Sequence, residues 1–160
     1  MWRVLSKFVR GNKGASFVEF AIAAPFLLTL GMGILEFGSA LYGHHVITTG
    51  VHDAARYLAR FPDPTTQYTA ARTLAVTGSV TGTTPRLSWW GTSGVTPTLF
   101  TIANPFDVGT GERAYRGPDP ITVVRVTATA SYPGFGLLNF LGLPSSLAFS
   151  VTHEERVMHE

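Results

Sequence analysis

Between Ala15 and Ile47 the only formally charged residues are Glu19 and Glu36. Leu, Ile, Phe, Ala and Gly dominate the run from Ala15 to about Tyr42, and a bilayer span needs about 20 mostly apolar residues. A run this long constrains the chain to carry a membrane-spanning helix. Arg3, Lys7, Arg10 and Lys13 precede it, and no acid occurs in the first fourteen residues. That asymmetry places the N-terminus in the cytoplasm and the C-terminal region outside. An ordinary cleaved signal peptide has an apolar core of about 7–15 residues followed by a small-x-small site. The run here is longer, and Ala21-Ile22-Ala23 comes too early. A plain signal anchor satisfies both length and charge.

Glu19 is the residue that a plain anchor does not explain. A carboxylate at the centre of a spanning helix costs about 2.5–3.5 kcal/mol on insertion scales, less near the interface. Such a group calls for a partner. Were the chain cut after Gly14, Ala15 would carry a new α-amino group one helical turn before Glu19, on the same face. That amine, or the amine of a neighbouring copy, is one candidate partner. In the uncut chain Lys13 and Arg10 are others. Glu36 lies about 25 Å further along the axis at 1.5 Å per residue, so the two carboxylates bracket a hydrocarbon core and Glu36 is expected at its outer interface. Pro25 removes the hydrogen bond to the carbonyl of Ala21, and a kink or local loosening is expected there.

Gly14, Glu19 and Phe20, set between a short basic leader and a long apolar run, resemble the class III prepilin signal. The wider stretch Gly14-Ala15 through Val18-Glu19-Phe20-Ala21, then Pro25 and Glu36-Phe37-Gly38, resembles the TadE-like pseudopilins of tight-adherence (Flp-type) secretion systems. Ala54-Ala55-Arg56-Tyr57 and the stretches 124–133 and 141–158 fit the same pattern. The resemblance implies that a prepilin peptidase cuts between Gly14 and Ala15. It implies that Glu19 and Phe20 serve assembly. It also implies a minor pilin-like subunit that assists pilus assembly, with other pilin-like subunits and the pilus secretion machinery as partners.

Charge and composition narrow the alternatives. The leader holds four of the twelve basic residues, so Ala15 to Glu160 carries eight basic and ten acidic residues, a net charge of −2. No basic stripe remains for nucleic acid. There is no cysteine, which excludes thiolate metal and redox chemistry and means that the outer region does without disulfides.

Three segments follow: a basic leader at 1–14, a transmembrane and extended helix at 15–60, and an extracytoplasmic α+β domain at 61–160. Val51, Ala54, Ala55 and Leu58 follow the i, i+3, i+4, i+7 spacing of a buried helix face, although Gly50 weakens the helix. Phe61-Pro62-Asp63-Pro64 ends it. Thr65 or Thr66 is expected to cap a second short helix over about 67–76, with Tyr68, Ala71, Leu74 and Ala75 inward and Gly78 as its stop. From Ser79 onward the texture is that of strands and loops. The alternation of Val124, Val126, Ala128, Ala130 and Tyr132 with Arg125, Thr127, Thr129 and Ser131 predicts a half-buried strand over 121–132. A second strand is expected over 147–157 and a third within 95–102, giving an antiparallel sheet of about three strands or more. The stretch 134–144 is too apolar for an idle loop. It packs under the sheet, offers a patch to a partner, or touches the membrane. A polar loop spans 109–120.

No catalytic site is readable. His45 and His52 share a helical face but stand about 10 Å apart along it, too far for one metal, and His153 and His159 flank acids at a strand exit. Gly109-Thr110-Gly111-Glu112 lacks the Lys-Ser/Thr of a phosphate loop, and no nucleophile is paired with a base. Trp89-Trp90 reads as core, ligand platform or interfacial anchor. No cofactor or metal is expected. The reading is a non-enzymatic, single-pass protein of the inner (cytoplasmic) membrane whose C-terminal domain is periplasmic or extracellular, with pilus association implied by the resemblance. The competing reading is an uncleaved envelope protein with a small extracytoplasmic binding domain.

Overall fold

Pro25 is the only proline before the Phe61-Pro62 break, and the chain is helical from Asn12 to Leu58 (α1). The structure is a computed structural model that describes residues 12–142 and 144–158. The leader residues Arg3, Lys7 and Arg10, with Leu143 and His159, lie outside the described residues. Helix α1 continues through Pro25 without a break in its assignment. One turn on, the Thr29 hydroxyl donates to the Pro25 carbonyl at 2.8 Å.

The chain divides into two compact units, one ending at Ser39 and the other beginning at Ala40. Helix α1 contributes to both. In the second unit its buried stripe is Ala40, Gly43, Ile47, Gly50, Val51, Ala54, Ala55 and Leu58. The steps of three and four along this stripe keep one face inward. A turn follows in which Ala59 N–H and Phe61 N–H donate to the carbonyls of Ala55 and Leu58. A 3-10 turn at Pro64–Gln67 comes next. Asp63 caps this turn, accepting from Thr65 N–H at 3.0 Å, while the second helix, which Thr65 or Thr66 is expected to cap, has Gln67 at its N-cap with no side-chain cap bond. Pro64 stands in its first turn, where a missing N–H costs nothing. The second helix, α2, is Tyr68–Thr77 and buries Ala71, Ala75 and Val76. Gly78 stops it at φ 83°, with its N–H on the Leu74 carbonyl.

Strands β1 (Val95–Ile102), β2 (Ile121–Tyr132) and β3 (Leu147–Arg156) form an antiparallel sheet in the order β1-β2-β3. In register, Val95 faces Ala128, and Val126 faces both Pro97 and His153. The even-numbered face of β2 buries Val124, Val126, Ala128 and Tyr132. These strand residues share a core with Ile47, Val51, Ala54, Ala55 and Leu58 of α1, Ala71, Ala75 and Val76 of α2, and Leu87 and Trp90. Fully burying a Val or Leu side chain is worth about 1.5–3 kcal/mol. The β2 valines are therefore the main hold of the sheet on the helices. The architecture is α+β, as the residue pattern implies.

A short helix, α3 (Leu137–Phe140), lies between β2 and β3. It divides the apolar stretch: Leu137 and Leu138 are buried, whereas Phe140 and Leu141 are exposed. Between β1 and β2 the loop 103–120 is organised by buried Asn104. Its side-chain amide donates to the carbonyls of Tyr115 (2.9 Å) and Pro118 (3.2 Å). Its backbone N–H donates to the Asp119 carboxylate at 2.8 Å.

Candidate functional site

The apolar segment of α1 is the candidate site. Gly14 and Ala15 stand in its first turn, where backbone N–H groups lack helical acceptors and the helix opens at least cost. Glu19 follows Ala15 by four residues, about 6 Å along the axis and on the same face. Phe17, Val18, Glu19 and Phe20 are all exposed. So are Ile22, Phe26, Leu27, Leu28, Leu30, Ile34 and Leu35, which point in every direction around the helix. A helix apolar all round fits a membrane or an assembly of like helices, not water. By length and composition this segment can cross a membrane, and the helix that contains it is the one such helix among the described residues. Of the partners considered for Glu19, Arg10 lies outside the described residues. Glu36, expected at the outer membrane interface, is buried, 1% exposed.

The remaining candidates separate in space. His44 meets the Phe149 ring edge-on, with centroids 5.5 Å apart. His52 stacks on His153 at 3.7 Å, and His153 Nε2 lies 3.3 Å from Glu155 Oε2. Among the described residues, no three potential ligands converge on a point where a metal could sit. Trp90 is core, and its indole N–H is buried without a hydrogen-bond acceptor. Trp89 is half-buried and stacks edge-on with Tyr132 at 5.5 Å. The His52–His153 stack has no local sequence signal, because the register of β3 against α1 creates it.

Open clefts occur among the described residues of the second unit. One, of about 380 Å³, is lined by Phe106, Glu112, Arg113, Tyr115, Arg116 and Gly117. Arg113 is committed there, stacked 4.3 Å over Phe106 and donating to the Gly117 carbonyl. Another, of about 280 Å³, lies between Asp53, Arg56, Tyr57, Arg60 and Leu74. Neither sets a nucleophile beside a base.

Asp107 closes the tip of the charged loop. Its carboxylate accepts the N–H groups of Thr110 (3.0 Å) and Gly109 (2.7 Å). These bonds, Thr110 first, hold its carboxyl below the usual 3.8. A lowered folded value favours the closed tip above the unfolded value, and this contribution disappears as pH falls through the folded value. Amide exchange at Gly109 and Thr110 is expected to accelerate as pH is lowered past 3.8, after correction for intrinsic exchange rates. Unchanged protection below that pH would exclude the coupling.

No curated protein and no solved structure matches the chain. Residues 14–56, from the glycine at the candidate cleavage bond to the last buried turns of α1, match the model of the TadE-like protein family, and over that segment the chain is similar to that family.

Proposed function

We propose that the chain is a minor pilin-like subunit, a pseudopilin, of a tight-adherence pilus, and that it assists assembly through packing of its N-terminal helix. The observation that carries this reading is that the TadE-like match includes the helix segment whose apolar surface is exposed on all sides. Such a surface is stable in lipid and can pass to the helices of other pilin-like subunits without meeting water. Proteins of this family are structural, which agrees with a role in assembly and not in catalysis. In this reading the basic leader holds the N-terminus in the cytoplasm and the unit from Ala40 onward stands outside the inner membrane. A prepilin peptidase removes residues 1–14. Ala15 becomes the new N-terminus and Glu19 its counter-ion, with Phe20 beside it on the packing surface.

The test is intact mass of the chain co-expressed with a prepilin peptidase. Wild type is expected to lose its leader, and Gly14→Leu to keep it, because a bulky side chain blocks close approach to the backbone before the bond. Loss of the leader from Gly14→Leu at the wild-type rate would overturn the cleavage site. A wild-type chain that keeps Met1 would favour the uncleaved envelope anchor.

A further inference from the structure

The two ends of the sheet differ in charge. At one end, the loop 103–120 carries Asp107, Glu112, Arg113, Arg116 and Asp119, and Arg125 pairs with Glu154 at 2.7 Å nearby. At the other end, β2 and β3 are joined by 133–146, and no Asp, Glu, Lys or Arg occurs between Arg125 and Glu154. The uncharged end is the one at which the chain enters this unit. His44 meets Phe149, His52 meets His153, and Met158 N–H donates to the Ala59 carbonyl. The helical rise from His44 to His52 is about 12 Å. The strand rise from Phe149 to His153 is about 13 Å. Helix and β3 therefore run side by side in the same direction. Tyr132 and Leu147, a register pair, bring the connection 133–146 to the level of Ala40.

That connection is neither fully packed nor polar. Leu137 and Leu138 anchor α3, while Phe140 at its end is 79% exposed and Leu141, just past it, 51% exposed. Beside it, Trp89 lies against the backbone of Gly43 and stacks with Tyr132. Trp is one of the side chains that collect at membrane–water boundaries, and Trp89 is half-buried here, whereas Tyr132 is buried beneath it. An exposed aromatic and a leucine on a charge-free loop suit lipid better than a protein partner, whose rim needs polar groups to set register.

We propose that residues 133–142 are a second membrane contact, in which Phe140 and Leu141 insert into the lipid surface at which the apolar segment of α1 ends. This rests on the reading of α1 as a membrane anchor. The contact fixes the outer unit on the bilayer surface before the subunit leaves it.

The chain has no cysteine, so single cysteines place an environment-sensitive fluorophore at chosen sites in the full chain. The carrier is a nanodisc of phosphatidylcholine and phosphatidylglycerol. Labels at Phe140→Cys and Leu141→Cys are read against Leu28→Cys in the anchor and Val108→Cys on the charged loop, where Val108 is fully exposed. Two quenchers are used, a nitroxide-bearing lipid and aqueous iodide. The proposal expects the labels at 140 and 141 to be quenched by the lipid nitroxide and shielded from iodide severalfold relative to 108. Iodide quenching equal to that at 108 overturns it. Shielding from both quenchers also overturns it, because the loop is then covered by a second copy of the chain. Should the label at 28 escape the lipid quencher, the anchor reading itself fails, and the loop contact falls with it by a different signature.

Discussion

Gly50→Ala is expected to destabilise the unit from Ala40 onward, although alanine is the better helix former. In an open helix the change gains about 1 kcal/mol, because glycine loses more backbone freedom on folding. At Gly50 an added Cβ would lie 2.3 Å from the Ala75 carbonyl oxygen and 3.0 Å from the Trp90 ring. The carbonyl belongs to α2 backbone, so relief requires the two helices to separate. Ala54, Ala55, Ala71 and Ala75 are all fully buried, and separation would open gaps along this contact. Overpacking of this kind costs about 1–3 kcal/mol, enough to reverse the sign. The measurement is thermal unfolding of the full chain in detergent, followed by the near-ultraviolet dichroism of Trp89 and Trp90. A midpoint several degrees below wild type is expected, and a larger drop for Gly50→Leu. A midpoint at or above wild type for Gly50→Ala would mean that the helix approach is not tight.

Gly50 also marks where residue patterns stop being informative. On the sequence it weakens a helix; in the fold its bare backbone lies against the backbone of Ala75 in α2, a property of two segments at once. The strand 121–132 was legible because a half-buried strand alternates with period two, and the stripe Val51, Ala54, Ala55 and Leu58 because a buried helix face repeats every three to four residues. The cap at 63–67 was not. Thr65 and Thr66 are good capping residues, but Asp63 precedes a proline that starts a 3-10 turn, and its carboxylate takes Thr65 N–H first. Asn104 gave no signal, because a lone asparagine in a polar loop becomes an organiser only when the carbonyls of Tyr115 and Pro118 converge on it. The stretch 134–144 was legible as apolar, but which leucines turn inward depends on how α3 docks. Burial of Glu36 likewise depends on tertiary placement.

Glu19→Gln is expected to abolish stable association with the other pilin-like subunits while leaving the chain inserted and its outer unit folded. The two effects separate because Glu19 stands on the exposed surface of the apolar segment, twenty-one residues before the outer unit begins at Ala40. Glutamine keeps the shape and removes the charge, and a neutral side chain is cheaper than a carboxylate in lipid. In the proposed assembly the partner of Glu19 is the amine of Ala15, from the same subunit or a neighbour. An amine buried without its counter-ion costs about 3–5 kcal/mol, which corresponds to a loss in affinity on the order of 100-fold or more. Glu19→Asp keeps the charge on a shorter arm and is expected to fall between the two. Co-purification with the other pilin-like subunits reads the association, and protease resistance of the unit from Ala40 onward reads the fold. Unchanged co-purification from a protease-resistant Glu19→Gln chain would remove the pairing and leave Glu19 as a carboxylate tolerated at the membrane edge.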